Sequence, residues 1–120
     1  MRVRAVRGAT TVDADTSDDV VRATAGLLEE MMRRNGVEKD DLVSIVFTST
    51  ADLRSEFPAA AARKIGISDV PLLCARELDI EGSIPRCIRV LMHLYTDRDL
   101  AALRHVYLGD ARQLRTDLPQ

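Results

Sequence analysis

A chain of 120 residues, 46% apolar and 30% charged, suits one domain with a single buried core. Its net charge of −2 leaves no basic footprint for nucleic acid, and four aromatics (Phe47, Phe57, Tyr95, Tyr107) give no stacking platform for single strands. No apolar run approaches a membrane span, and the N-terminus is a charged strand-like segment, not a signal peptide.

Met1 to Thr10 alternates as a first strand, with Val3, Ala5 and Arg7 on one face and Arg2, Arg4 and Val6 on the other. Arg7 is either a salt-bridged strand-end residue or a ligand contact. Gly8 lets the backbone bend or come close to a ligand. Thr16 then opens a helix, with Asp19 in capping-box position and acids in the first turn to suit the helix dipole. Val20, Val21, Thr24, Leu27, Leu28 and Met31 form one buried stripe. Arg33 and Arg34 fill the last turn, and Asn35-Gly36 supplies the left-handed stop. This helix is packing and carries no chemistry.

A polar link over 38–41 leads to a second strand, Leu42 to Thr50, rich in β-branched residues. Its end, Thr48-Ser49-Thr50-Ala51-Asp52, offers small hydroxyls that cap a helix or line a pocket; capping is the preferred reading. Phe57-Pro58 starts a shorter helix through Ile65, with Pro in a tolerated first-turn position and Gly66 as its stop. The run from Ala59 to Ala62 makes that helix thin, able to approach another backbone closely, as at a subunit contact.

Two apolar runs of strand length follow, from Leu72 and from Arg86, joined by the turn-prone Glu81-Gly82-Ser83-Ile84-Pro85. In the second run Ile88, Val90, Met92 and Leu94 share one face; Cys87, Arg89, Leu91, His93 and Tyr95 share the other. Both faces are mostly apolar, which predicts a strand covered on both sides with Arg89 inside it. Arginine does not shed its proton, and a buried unpaired charge costs several kcal/mol. Arg89 therefore needs an anion, supplied by Glu77 or Glu81 of the protein or by a ligand. Beyond Tyr95, Thr96-Asp97 caps a helical turn through Leu103, Arg104 to Leu108 forms a last strand, and 111–120 is a flexible polar tail containing Leu114-Arg115. This order predicts an α/β (α+β) fold, one domain over 1–120, with a mixed sheet and helices packed on one side.

Chemistry is then narrowed by what the residues exclude. His93 and His105 are twelve residues apart, and no Cys-x-x-Cys or His-x-x-x-His spacing exists, so no metal is expected. Cys74 and Cys87 read as reduced thiols of a cytoplasmic protein. Neither a Gly-x-Ser-x-Gly elbow nor a glycine-rich phosphate loop is present. There remain arginines on or beside strands (Arg7, Arg63, Arg89, Arg115), the carboxylate of Glu77, the thiol of Cys74 and the phenol of Tyr107. Such a set holds a small dianion better than it performs covalent or acid–base work.

Five stretches carry a resemblance. Arg7-Gly8-Ala9-Thr10-Thr11-Val12, Phe57-Pro58-Ala59 with Arg63, Cys74-x-x-Glu77-Leu78-Asp79, Cys87-Ile88-Arg89-Val90 and Arg104-His105-Val106-Tyr107-Leu108 together resemble the monofunctional AroH-class chorismate mutases, in order, from about residue 1 to 118. The resemblance implies a homotrimer forming a barrel-like assembly with pockets at its subunit interfaces. It implies conversion of chorismate to prephenate, on the way to phenylalanine and tyrosine, without cofactor or metal. It assigns Arg89 to the ether oxygen and a carboxylate of the substrate, Arg7 to the same region, Glu77 to the ring hydroxyl and Tyr107 to a carboxylate. Leu73, Cys74, Ala75 and Arg76 run along the ligand, chiefly through backbone groups. Phe57 and Arg63 belong to the pocket wall or mouth, and Arg115 to a tail that covers it. The chain departs from the pattern at Ala60, where lysine is common, and at Thr116, where proline is. Two rival functions are an imine/enamine deaminase of the Rid type, with a similar trimeric architecture, and a non-catalytic trimer that binds a small acid.

Overall fold

Strand β4 (Cys87–Thr96) organises the molecule, because it is the middle of five strands and the only one hydrogen-bonded to two long neighbours among the described residues, 1–114, of the computed structural model. The others are β1 (Arg2–Thr11), β2 (Leu42–Ser49), β3 (Leu72–Arg76) and β5 (Val106–Tyr107), in the spatial order β3-β2-β4-β1-β5. β4 runs antiparallel to β1 and β2, while β3 and β5 add in parallel at the edges, so the sheet is mixed as predicted. The two apolar runs that flank the Gly/Pro segment are therefore not sheet neighbours: β2 lies between them.

The helices are α1 (Ser17–Asn35) and α2 (Ala60–Lys64). Thr16 caps α1 by accepting the Asp19 N–H at 3.1 Å. Asp19 itself turns to Arg22, 3.4 Å away, so only half of the expected capping box forms. Gly36 closes the helix in the left-handed region, with φ 61° and ψ 40°. Leu27, Leu28 and Met31 pack into Val6, Ile45, Phe47, Val90, Met92 and Leu94 on one face of the sheet. Each fully buried apolar side chain contributes roughly 1.5–3 kcal/mol, which makes this helix–sheet layer the main source of stability. Gly8 serves that layer: a Cβ there would collide with the Met31 sulfur and press on Leu27. The close approach it permits on this side is to a helix.

Several expectations are corrected. α2 begins at Ala60, after turns in which the Ala60 and Ala61 N–H groups bond the carbonyls of Phe57 and Pro58. Its buried alanines, Ala61 and Ala62, face the core shared with α1 of the same chain. The turn after β4 is a 3-10 helix at Leu100–Ala102 with Asp99, not Thr96-Asp97, at its N-cap position. The second face of β4 is not covered: Leu91 and Tyr95 are 37% and 47% exposed, and Val3 beside them is 51% exposed. At the Cys87 end it is covered, because the presumed tail starts as a 3-10 turn at Gly109–Gln113 and buries Ala111 against Ala9, Cys87 and Tyr107. The rest of that segment, with Arg115 and Thr116, lies outside the described residues. Among the described residues no helix is long and apolar enough to cross a membrane.

Candidate active site

Strand alternation and register place one row of residues straight across the open sheet face. Ala75 of β3 pairs with Thr48 of β2, Thr48 with Arg89 of β4, Arg89 with Ala9 of β1, and Ala9 with Tyr107 of β5. Adjacent strands lie about 4.8 Å apart, so Arg89 and Tyr107, two strands apart, bracket a gap of molecular size over the small side chain of Ala9. Arg7 is two residues along β1, on the same face, and its backbone N–H donates to His105 Nδ1 at 2.9 Å. Glu77 reaches in from the end of β3, where its own N–H bonds the Ser49 carbonyl at 2.9 Å. The result is a cleft of about 520 Å³ lined by Arg7, Ala9, Thr48, Glu77, Arg89 and Tyr107, among others. That volume falls within the ordinary range for small-molecule sites.

Both alternatives for the anion beside Arg89 bear on this cleft. Arg89 Nε stands 3.4 Å from Glu77 Oε1, with the two side chains 37% and 20% exposed. The same Nε makes no aligned hydrogen bond; 3.4 Å is an ion-pair contact that leaves the donor unsatisfied. Glu77 meanwhile accepts a hydrogen bond from the Thr48 hydroxyl through Oε2. The pair thus balances charge without using up the guanidinium fork. Glu81 is exposed and forms no ion pair with Arg89. The Tyr107 hydroxyl is likewise buried with no hydrogen-bond partner. Buried polar groups left this way cost about 1–3 kcal/mol each. Burial pushes the Cys87 thiol up, and the neighbouring Arg89 cation pulls the other way; a buried neutral thiol packs beside the cleft.

Of the remaining expected site residues only Ala75 shares the row, and none of the described ones lines this cleft. Phe57, Cys74, Ala75 and Arg76 line a second cleft of about 440 Å³, together with Ser49, Leu53, Arg54, Ser55, Glu56 and Pro58. The two clefts share no lining residue. Leu73, 62% exposed on β3, and Arg63, exposed on α2, line neither. Arg115 lies outside the described residues. Of the small hydroxyls at the end of β2, Thr48 lines the first cleft and donates to the Glu77 carboxylate, and Ser49 lines the second, so the pocket alternative holds and the preferred capping role does not. Val46 and Leu91 join the first cleft unannounced. Alternation along β2 put Thr48 and Val46 on one face, but only the β2–β4 register shows that this face meets Arg89. No group of three or more His, Cys, Asp or Glu among the described residues is placed to hold a metal ion.

Chemically the first cleft offers two guanidinium groups, one carboxylate and one phenol around the small side chain of Ala9. Comparison with known proteins agrees. A sequence profile of the family described as chorismate mutase type I matches residues 3–118. The chain is 50% identical to chorismate mutase AroH of Thermus thermophilus over 117 residues, 97% of this chain and 96% of that one. It is 40% identical to chorismate mutase AroH of Bacillus subtilis (strain 168) over 119 residues, 98% of this chain and 94% of that one. A solved structure of a chorismate mutase from Clostridium thermocellum superposes with a TM-score of 0.91 at 50% identity, covering 92% of this chain and 99% of that one. With the profile and both relatives spanning nearly its whole length, this chain belongs to the type I chorismate mutases.

Proposed function

We propose that this chain is a chorismate mutase that rearranges chorismate to prephenate in a cytoplasmic route to phenylalanine and tyrosine, with Arg89 at the centre of the site. The reaction is intramolecular: a C–O bond breaks while a C–C bond forms, and neither a nucleophile nor a proton transfer is needed. The protein has to hold the compact conformer of the substrate and stabilise charge growing on the ether oxygen. Arg89 faces that oxygen and a carboxylate, Arg7 reinforces the same region, Tyr107 donates to a carboxylate and Glu77 accepts from the ring hydroxyl. A guanidinium does this without depending on pH near neutrality. A millionfold acceleration corresponds to about 8 kcal/mol. Positioning can supply roughly 7–11 kcal/mol and one preorganised donor about 3–4, so these residues suffice without a cofactor.

The observation that carries this reading is the row Thr48–Arg89–Ala9–Tyr107, in which two residues lining one cleft, Arg89 and Tyr107, each hold a buried donor without a hydrogen-bond partner. The second cleft fits the same reading in an assembly. A homotrimer that sets the Phe57–Cys74–Arg76 cleft of one subunit against the Arg7–Arg89–Tyr107 cleft of its neighbour would gather both halves of the site. The exposed face bearing Val3, Leu91 and Tyr95 supplies an apolar surface for such an assembly. Purified protein mixed with chorismate, followed by loss of the substrate's ultraviolet absorbance, tests the activity. An imine substrate serves as the control. Rapid loss of chorismate with the imine untouched is expected; imine turnover, or binding of chorismate without turnover, would favour one of the two rival functions.

A further inference from the structure

The backbone enters β4 through Arg86, whose φ of 47° puts a residue bearing a Cβ in the left-handed region. A conformation of that kind persists where its surroundings over-determine it. Two strand ends do so here. From the end of β2, both carboxylate oxygens of Asp52 accept the Arg86 N–H, at 2.9 and 3.2 Å. The Thr50 hydroxyl donates to Asp52 Oδ1 at 2.6 Å and accepts the Cys87 N–H at 3.0 Å. The Thr50 N–H also reaches the Cys87 carbonyl at 3.0 Å. From the end of β1, the Val12 N–H bonds the Arg86 carbonyl at 2.8 Å, and the Val12 carbonyl accepts Arg86 Nε at 2.9 Å.

Cys87 is the first residue of β4, and Arg89 is its next side chain on the same face. Because strand faces alternate, a slip of one residue at this entry would turn Arg89 toward α1 and bring an aliphatic side chain into the cleft. A smaller shift would change the aim of the guanidinium. We propose that Asp52, which lines neither cleft, is a positioning residue: it fastens Arg86 in its left-handed conformation and thereby sets the register and aim with which β4 presents Arg89. The role rests on the reading of Arg89 as the group that meets the substrate. Nothing in the sequence pattern around Asp52 announces it, because its partner is a backbone N–H 34 positions away.

Three variants test it in the full-length protein: Asp52→Ala, Asp52→Asn, and Asp52→Ala combined with Arg86→Gly. Asp52→Ala is expected to lower kcat about tenfold to a hundredfold, the cost of a misplaced catalytic group, while KM moves less than about threefold. Asp52→Asn keeps an oxygen that accepts from Arg86 and falls between Asp52→Ala and wild type. The double variant recovers most of kcat, since glycine takes a positive φ without a clamp. A purely stabilising role for Asp52 would move the melting temperature of Asp52→Ala and leave kcat alone below it. That result overturns the proposal, as does a double variant as slow as Asp52→Ala. If Asp52→Ala does not fold, Thr50→Val, which removes the hydroxyl joining Asp52 to Cys87, takes its place in the same comparison. A wild-type kcat there is equally fatal. Arg89→Lys is assayed alongside: normal turnover removes the reading of Arg89 itself, whereas a crippled Arg89→Lys with a normal Asp52→Ala removes only the clamp.

Discussion

At the scale of single residues, the cleft puts two donors in opposite relation to stability and activity. Arg89 projects a fork of several N–H groups from a strand, whereas lysine is a point charge on a flexible stem. Arg89→Lys keeps the charge and loses the geometry, so kcat should fall about a hundredfold or more, the usual consequence of losing one preorganised donor. Initial rates at saturating chorismate, with circular dichroism to confirm the fold, check this. Tyr107→Phe separates the two quantities. The hydroxyl it removes is buried without a partner, and relieving such a group spares about 1–3 kcal/mol. The variant should therefore melt no lower than wild type, while its KM for chorismate rises about tenfold, as one lost hydrogen bond to a charged group predicts. A lower melting temperature would mean that the hydroxyl is satisfied within the protein. Arg89 was legible in the sequence because an arginine inside an apolar strand demands an anion wherever it lands. Thr48 was not legible, because its importance comes from lying opposite Arg89 and beside Glu77. Both are facts of register that alternation alone does not supply.

At the scale of elements, the fold is set by how closely α1 lies on β1. The stripe from Val20 to Met31 and the Asn35-Gly36 stop were readable because helical periodicity and a left-handed terminus are local properties. What Gly8 is for was not readable, because its neighbour in space, Met31, is far off in sequence. Gly8→Ala inserts a methyl group against the Met31 sulfur and Leu27. Overpacking of this kind costs roughly 1–3 kcal/mol, or a fall in melting temperature of roughly 5–15 °C. Thermal unfolding measures it, and an unchanged midpoint would show that α1 yields freely. The short α2 and the division of the expected site between two clefts were hidden for the same reason. Phe57, Cys74 and Arg76 read as neighbours of Arg89 in a motif, yet the sheet puts β2 between β3 and β4.

At the scale of the whole molecule, protonation sets the range over which the fold holds. Asp15 lies below the ordinary carboxylate range because it accepts from Ser55 and the Arg54 N–H. Glu30 is lowered to about 2 by its bonds to Arg33 and Arg34. Asp52 is also lowered: burial opposes this, but the Thr50 hydroxyl and the Arg86 N–H outweigh it. A carboxylate with a depressed folded pKa contributes stability above its unfolded value, near 4, and loses that contribution as pH falls through the folded one. Cys87 has the opposite sense, since its raised thiol pKa favours the folded state below about 8.5 and ceases to do so as pH rises. The melting temperature should therefore hold between about pH 5 and 8 and decline on either side, most steeply toward pH 3. Assembly is tested on the open sheet face. Val3 and Tyr95 are cross-strand neighbours there, both about half exposed, and neither lines the cleft. If a second subunit covers them, Tyr95→Asp places a charge in a desolvated contact and should dissociate the trimer without unfolding the chain. Analytical ultracentrifugation would then show trimers for wild type and monomers for the variant at micromolar concentration. If the second cleft of one chain completes the first cleft of another, the monomer should also be inactive, and specific activity should return as protein concentration rises. A Tyr95→Asp monomer with full activity at every dilution would mean that a single chain closes the site alone, and the second cleft would have no part in the reaction.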